Sequence, residues 1–344
     1  MKAIVRTGLE AGEMYLKDLP LPNISEDEVL VRVKAVGICG TDAHMYTGHV
    51  VTDVPIIVGH EFSGIVEKIG ANVNNIKEGD RVVSRLNLGV CGVCRACLTG
   101  NPHMCEHRTC PGFKLDGAYA EYIKMDPKML VKISDNVTYE QGALVEPMAI
   151  VAHALLQRTK VESEDFVVIY GPGPIGLIAL QMIKINGASK VIMVGTDVDE
   201  NERLPLAEKL GADYVFNSQK KNIEEEIRKI NGGNGVDLVI EASGAVPAIN
   251  SGLRLLRRQG KMCVLGLPGK RESNIEWLTA AEKSLKVVFN YSSSPWSWNI
   301  AVSMLERKAF DADSLISHRV SLDKYREVFQ EIADGKAIKA LLIP

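Results

Sequence analysis

The sequence predicts an α/β fold in two parts, a β-rich, barrel-like domain and a doubly wound parallel sheet. Two observations predict it: a change of texture near residue 165, and a glycine-rich turn lying between a strand and a helix. Up to about residue 145, short β-like runs at 29–36, 64–69, 81–84 and 119–124 are separated by turn residues, with Glu78-Gly79-Asp80 marking one turn. From about 165, strands alternate with helical stretches. The pairs are 166–170 then 175–186, 190–194 then 201–210, 213–216 then 222–230, and 236–241 then 246–257, followed by a strand at 261–265. Repeated strand–helix units imply right-handed crossovers and therefore a parallel sheet. Beyond Tyr291 an aromatic, serine-rich segment leads to helices near 299–307 and 322–333 and a last strand at 337–343. No repeat, low-complexity tract or Pro/Gly/Ser-rich linker interrupts the chain.

Length and composition restrict the partners. At 344 residues the chain is long enough for two domains with proper cores. Forty basic against 43 acidic residues leave a net charge of −3, with no positive excess to neutralise a phosphate backbone or an anionic membrane. Neither nucleic acid nor membrane is an expected partner. The opening MKAIVRTGLEAGEMYLKDL has charges breaking every apolar stretch, so no secretory signal is expected and the cytoplasm is the expected compartment. Residues 166–183 carry no charge, yet Gly171-Pro172-Gly173-Pro174 in their middle would disrupt a spanning helix, so strand, turn, helix is the better parse. Seven cysteines are too few for a disulfide framework of this length.

Four of them, Cys91, Cys94, Cys97 and Cys105, form C-x2-C-x2-C-x7-C in a loop-like segment containing Gly89, Gly92, Gly100 and Pro102. Four thiolates so close together suit a closed tetrahedral Zn²⁺ site; an iron–sulfur cluster is the alternative. A closed site leaves no ligand position for water or substrate, so such a metal is structural.

Gly171-Pro172-Gly173-Pro174-Ile175-Gly176 follows an apolar strand and opens a helix, the context in which G-x-G-x-x-G signals dinucleotide binding. Gly171 allows the tight turn, Gly173 a close approach of pyrophosphate to the backbone, and Gly176 the packing of helix on strand. The next strand ends near Asp197 and Asp199, placed to meet the adenosine ribose of NAD, while Arg203 in the same loop leaves NADP open. A third group, Cys39, Thr41, Asp42, His44, His60 and Glu61, contains the ligand types zinc accepts; by spacing alone a buried thiol and a satisfied histidine fit as well.

Taken together, Cys39-Gly40-Thr41-Asp42, Gly59-His60-Glu61, Gly79-Asp80-Arg81-Val82, the four-cysteine lobe, Glu146-Pro147 and the glycine turn make the chain resemble the zinc-dependent medium-chain dehydrogenase/reductase family, in its sorbitol (polyol) dehydrogenase branch. The resemblance spans essentially the whole length. It implies a GroES-like catalytic domain at 1–145 completed by 290–344, and a Rossmann NAD(P)-binding domain at 146–289. It implies Cys39, His60, Glu61 and Glu146 as catalytic-zinc ligands, Glu146 standing where alcohol dehydrogenases of the family place a second cysteine. With one thiolate rather than two the metal is harder, which suits a chelating polyol and could admit Mn²⁺ or Co²⁺. Thr41 and His44 match the proton-relay positions. A homodimer or homotetramer is implied as well.

The chain departs from that branch at Phe289-Asn290-Tyr291, where polyol dehydrogenases carry a substrate-contacting arginine before the aromatic. Residues 290–296 resemble galactitol-phosphate dehydrogenases more, and the glycine turn with Ser243-Gly244-Ala245 is similar to arabitol-phosphate dehydrogenases. The expected function is hydride transfer between NAD(P) and a secondary hydroxyl of a polyol or polyol phosphate, giving a ketose. A threonine or short-chain alcohol dehydrogenase is the alternative within the family, and a non-catalytic nucleotide-binding protein the alternative outside it. Cys110 and Cys263 are left as ordinary thiols.

Overall fold

A computed structural model describes residues 1–344 and divides into two compact units. The first comprises Met1–Ala149, Ser294–Lys308 and Ala312–Pro344; the second Ile150–Ser293 with Ala309–Asp311.

The first unit begins with β1 (Lys2–Arg6), β2 (Met14–Asp18), β3 (Val29–Gly37), the short helix α1 (Gly40–Tyr46), β4 (Ile56–Ile57), β5 (Glu61–Ile69) and β6 (Arg81–Ser84). There follow a single helical turn, α2 (Arg95–Leu98), β7 (Tyr122–Met125), β8 (Leu130–Lys132), α3 (Tyr139–Gly142) and α4 (Val145–Ala152). β3 organises the unit. Its β-branched residues Val29, Val31 and Val33 are buried, and antiparallel neighbours pair with it on both sides. At its far end Gly37 lies opposite Glu61 of β5. The strands 2–6 and 14–18 were not singled out by the sequence pattern; they form a small sheet in the order β2-β1-β4. The expected strand at 119–124 starts only at Tyr122, because residues 117–119 bond instead to the loop before β5: Ala118 N–H donates to the Gly59 carbonyl at 2.9 Å and Tyr119 N–H to Val58 at 2.9 Å.

The second unit runs β9 (Phe166–Tyr170), α5 (Pro174–Ile185), β10 (Lys190–Gly195), α6 (Arg203–Lys209), β11 (Tyr214–Asn217), α7 (Ile223–Asn231), β12 (Val236–Glu241), α8 (Val246–Leu255), β13 (Leu256–Val264), α9 (Trp277–Glu282) and β14 (Lys286–Phe289). Its six strands are all parallel in the order β11-β10-β9-β12-β13-β14. β9, with Val167, Val168 and Ile169 fully buried, is an inner strand, as continuous apolar runs of parallel sheets require. The uncharged stretch 166–183 is thus strand, turn and helix, and no helix is long and apolar enough to cross a membrane. α7 shows how sequence bounds an element: Asn222 caps it, Glu224 to Glu226 fill its first turn, and Gly232 ends it with φ of 64°. The helix expected at 246–257 stops at Leu255 because Leu256 is buried as the partner of Val236, starting β13 five residues early.

The chain then continues in the first unit with α10 (Pro295–Glu306), β15 (Ile316–Ser321), α11 (Tyr325–Ala333) and β16 (Lys339–Ile343). α10 begins before the expected 299 because Ser294 caps it, accepting from Ser297 N–H, with Pro295 as its first residue. β16 pairs antiparallel with β3, Leu341 opposite Gly37, which brings Lys339 beside the start of β5.

Candidate active site and metal centres

The pairing of Gly37 with Glu61 builds the mixed cluster. Cys39 follows β3 by two residues and His60 precedes β5 by one, so a single register pair sets them side by side. The ligand atoms of Cys39, His60 and Glu61 all lie within 4.8 Å of one another. A Cβ on Gly37 would come within 2.3 Å of Glu61 Oε2, so any side chain there would displace the Glu61 carboxylate. His60 and Glu61 are buried and Cys39 is half-buried.

Around this cluster lies a shell of buried charge. Asp42, on the first turn of α1, is wholly inaccessible; its Oδ2 accepts Cys39 N–H at 2.9 Å and the Tyr119 hydroxyl at 2.7 Å, and its Oδ1 faces His60 Nδ1 at 3.5 Å. Burial by itself would raise the Asp42 carboxyl, but the His60 imidazole, the phenol and the Cys39 amide outweigh it and hold it below the usual range. His60 is the mirror case, with burial opposing and the Asp42 carboxylate carrying it well above the ordinary value. Lys339, 3% exposed, pairs with Glu61 Oε2 and donates to the Ile38 carbonyl at 3.0 Å. Glu146, in the first turn of α4, is pushed up to about 7, by burial first and then by the Glu61 carboxylate. It is not among the three mutually close ligand atoms, but it shares their electrostatic environment.

This donor set fits a divalent cation. One thiol, one imidazole and one carboxylate converge, and His60 Nδ1, aimed at a carboxylate, leaves Nε2 as the ligand nitrogen, as in carboxylate–histidine–zinc triads. Thr41 and His44 sit three residues apart on α1, the first half-buried and the second exposed, with His44 edge-on to His49 at 6.3 Å.

The four-cysteine lobe is built otherwise. All four sulfurs lie within 4.8 Å of one another and none forms a disulfide. Cys94 and Cys97 sulfurs are 3.5 Å apart and those of Cys91 and Cys105 3.6 Å, close to the roughly 3.8 Å edge of a tetrahedron with zinc–sulfur bonds of about 2.3 Å. Backbone N–H groups turn inward: Cys91 donates to Cys105 Sγ and Cys94 to Cys91 Sγ, each at 3.4 Å. Val93 and Leu98 are 76% and 73% exposed, so the lobe has no core of its own.

In the second unit Gly171 adopts φ of 96°, Gly173 caps α5 and Pro174 is its first residue. A Cβ on Gly176 would lie 1.9 Å from the Gly171 carbonyl oxygen. The turn opens on a cavity of about 710 Å³ lined by Gly171, Gly173, Asp199, Arg203 and Ser243. Pro174 and Ile175 do not line it, and neither does Asp197, whose Oδ1 accepts from Asn217 at 2.7 Å. Asp199 is buried and engaged on both oxygens, by Thr196 N–H and hydroxyl at 2.9 and 3.0 Å and by Arg203 at 3.0 Å. Gly173, the cap of α5, lines this cavity and so sets a helix N-terminus on it, the arrangement that receives a dinucleotide pyrophosphate.

Sequence reasoning missed Lys339 and Tyr119 and assigned Asp42 no role of its own. Asp42 stood inside a quoted motif, and its spacing from Cys39 is that of a capping box, the available signal. Lys339 and Tyr119 carried none, being 278 and 77 positions from their partners.

Comparison with known proteins agrees with this construction. Residues 25–135 match the model of the alcohol dehydrogenase GroES-like domain and residues 174–307 that of zinc-binding dehydrogenases. A D-arabitol-phosphate dehydrogenase of Enterococcus avium is 36% identical over 99% of this chain and 97% of its own length. A sorbitol dehydrogenase of Halalkalibacterium halodurans is 36% identical over 100% and 99%, and an L-threonine 3-dehydrogenase of Bacillus velezensis 34% over 100% and 99%. Among solved structures, a putative zinc-binding dehydrogenase of Sinorhizobium meliloti bound to NADP superposes with a TM-score of 0.92 at 30% identity, covering 100% of this chain and 99% of that one. Fold and ligand clusters together define an oxidoreductase acting on CH–OH groups. More particularly, the chain belongs to the zinc-binding medium-chain dehydrogenase/reductase family.

Proposed function

We propose that the protein oxidises a secondary hydroxyl of a polyol or polyol phosphate to a ketone with NAD(P), and reduces the ketone in the reverse direction. The observation that carries this reading is the buried Cys39/His60/Glu61 cluster with the Glu146 carboxylate, rather than a second thiol, in its surroundings. Full-length identity of 36% to arabitol-phosphate and sorbitol dehydrogenases supports the substrate class. When bound, zinc supplies positive charge that lowers the pKa of a substrate hydroxyl, and the nicotinamide accepts the hydride from its carbon.

The chain's own residues do the rest. Cys39, His60 and Glu61 hold the metal, with Glu146 a further ligand directly or through water. Asp42 orients His60, and Lys339 compensates the buried Glu61 charge. Thr41, half-buried, accepts the hydroxyl proton as it releases its own, and His44, exposed on the same helix, is the relay group that passes a proton out to water. Gly171, Gly173 and Gly176 form the pyrophosphate cradle, with Pro174 and Ile175 opening its helix and Asp199 and Arg203, which line the cavity, near the adenosine ribose; Asp197, off that lining, holds Asn217. Cys91, Cys94, Cys97 and Cys105 hold a structural zinc. A homodimer or homotetramer is part of the same reading, supported by the edge strand β14 with Phe289 58% exposed.

A screen of NADH and NADPH formation tests it, with free and phosphorylated polyols of four to six carbons set against L-threonine and ethanol. Turnover on a polyol or its phosphate is expected. Preference for threonine establishes the alternative, which the 34% identity to a threonine dehydrogenase keeps in view. Metal analysis accompanies the screen, with two zinc ions per chain expected.

A further inference from the structure

We propose that the Tyr119 hydroxyl is a positioning group for the mixed cluster: acting through Asp42 it fixes the His60 imidazole, so that removing this one oxygen loosens metal held by Cys39, His60 and Glu61 while leaving the four-cysteine lobe unaffected. The inference rests on the zinc reading above.

Asp42 is sealed from solvent, and both hydrogen bonds that orient its carboxylate fall on the same oxygen. One comes from the Cys39 amide, the other from Tyr119 at 2.7 Å. Oδ1 has no hydrogen-bond partner of its own and lies 3.5 Å from His60 Nδ1, so the direction in which it faces the imidazole is set by what grips Oδ2. With the hydroxyl gone, a single donor is left, and the carboxylate can rotate about it.

Tyr119 is itself buried and tied on both sides of its backbone. Its N–H donates to Val58 at 2.9 Å and its carbonyl accepts from Ile4 at 2.8 Å. Its ring lies on Gly59, the residue before His60, where an added Cβ would come within 2.2 Å of Tyr119 Cδ1; Gly59 also holds φ of 92°. One side chain therefore supports His60 twice, the ring against the backbone that leads into it and the hydroxyl through Asp42. Tyr119→Phe keeps the first contact and deletes the second, which makes the two roles separable.

The experiment compares zinc release from wild-type holoenzyme and Tyr119→Phe into a chromogenic chelator, with the lobe's phase assigned by Cys97→Ser. Groups hydrogen-bonded to metal-ligating histidines typically control metal affinity by 10- to 100-fold. The expected result is release from the mixed cluster about tenfold faster in Tyr119→Phe, an unchanged lobe phase, and a shifted d–d absorption band after Co²⁺ substitution. The melting temperature of the metal-free variant should stay close to that of metal-free wild type. Equal acceleration of both phases, or faster release accompanied by a matching fall in metal-free melting temperature, reduces Tyr119 to a general structural role and overturns the proposal. An unchanged mixed-cluster phase overturns it directly. A wild-type protein that takes up only the lobe metal would instead defeat the zinc reading of the mixed cluster, and this inference with it.

Discussion

Four cysteines of one short loop and three potential ligands drawn from the ends of two strands make two candidate metal sites of opposite construction in the same unit. The lobe is local and half-exposed, made of one donor type, and oriented by its own backbone N–H groups. The mixed cluster is assembled by strand register and surrounded by buried charges, Asp42 behind His60 and Lys339 behind Glu61. A closed set of thiolates can hold a metal without further support, whereas a set with one carboxylate in a dry environment must be balanced by neighbours. That contrast underlies the proposal that the chemistry belongs to the second cluster and the ordering of a coreless loop to the first.

Breaking the contrast most severely, Cys39→Ser should lower turnover about a thousandfold or more, because a metal stabilising developing charge contributes several kcal/mol and about 1.4 kcal/mol is tenfold. Metal analysis of that variant should still find the lobe zinc; loss of both ions would show that the centres are not independent.

A second prediction concerns balance. Lys339→Met leaves Glu61 buried without its cation, and breaking one side of a buried pair costs about 3–5 kcal/mol. Denaturant unfolding of the metal-free protein measures it, and a loss below about 1 kcal/mol would mean that water reaches Glu61.

The smallest effect sharpens the comparison through pH. In the metal-free lobe the Cys105 thiol is held down to about 6, chiefly by the Cys91 N–H, while Cys97 is pushed up to about 12, by burial first and then by Cys94. A thiol with a lowered pKa is a thiolate above that value and takes up a proton below it. Zinc uptake by the stripped lobe should therefore weaken as pH falls through about 6. At neutral pH Cys97 must give up a proton on loading, so uptake should acidify a weakly buffered solution containing an indicator dye, and an unchanged indicator would contradict this assignment.

The same contrast explains what could be read from the chain in advance. The lobe was legible because its ligands are neighbours in sequence and metal spacing is a local property. The glycine turn was legible because a strand before it and a helix after it can each be recognised by periodicity, and the structure puts Gly171 and Gly173 on the cavity. Asp197 shows the limit: it stands at the fingerprint distance, yet its carboxylate is taken by Asn217, while Asp199 lines the cavity with both oxygens already engaged. Early strands such as Lys2–Arg6 were illegible because five residues, the last four buried in a row, show no alternation that stands out.

The β-rich first part, the parallel α/β second part, the four-thiol loop and the glycine turn all follow from the chain alone, since each depends on residues within a few positions of one another. The pairing of Lys339 with Glu61 and the hydrogen bond from Tyr119 to Asp42 behind His60 arise instead from the folded arrangement. Those contacts are 278 and 77 residues apart, and they exist because strand register and a close approach at Gly59 bring them together. No local pattern encodes such a meeting; burial then makes it strong, because in a dry interior each charge must find its partner.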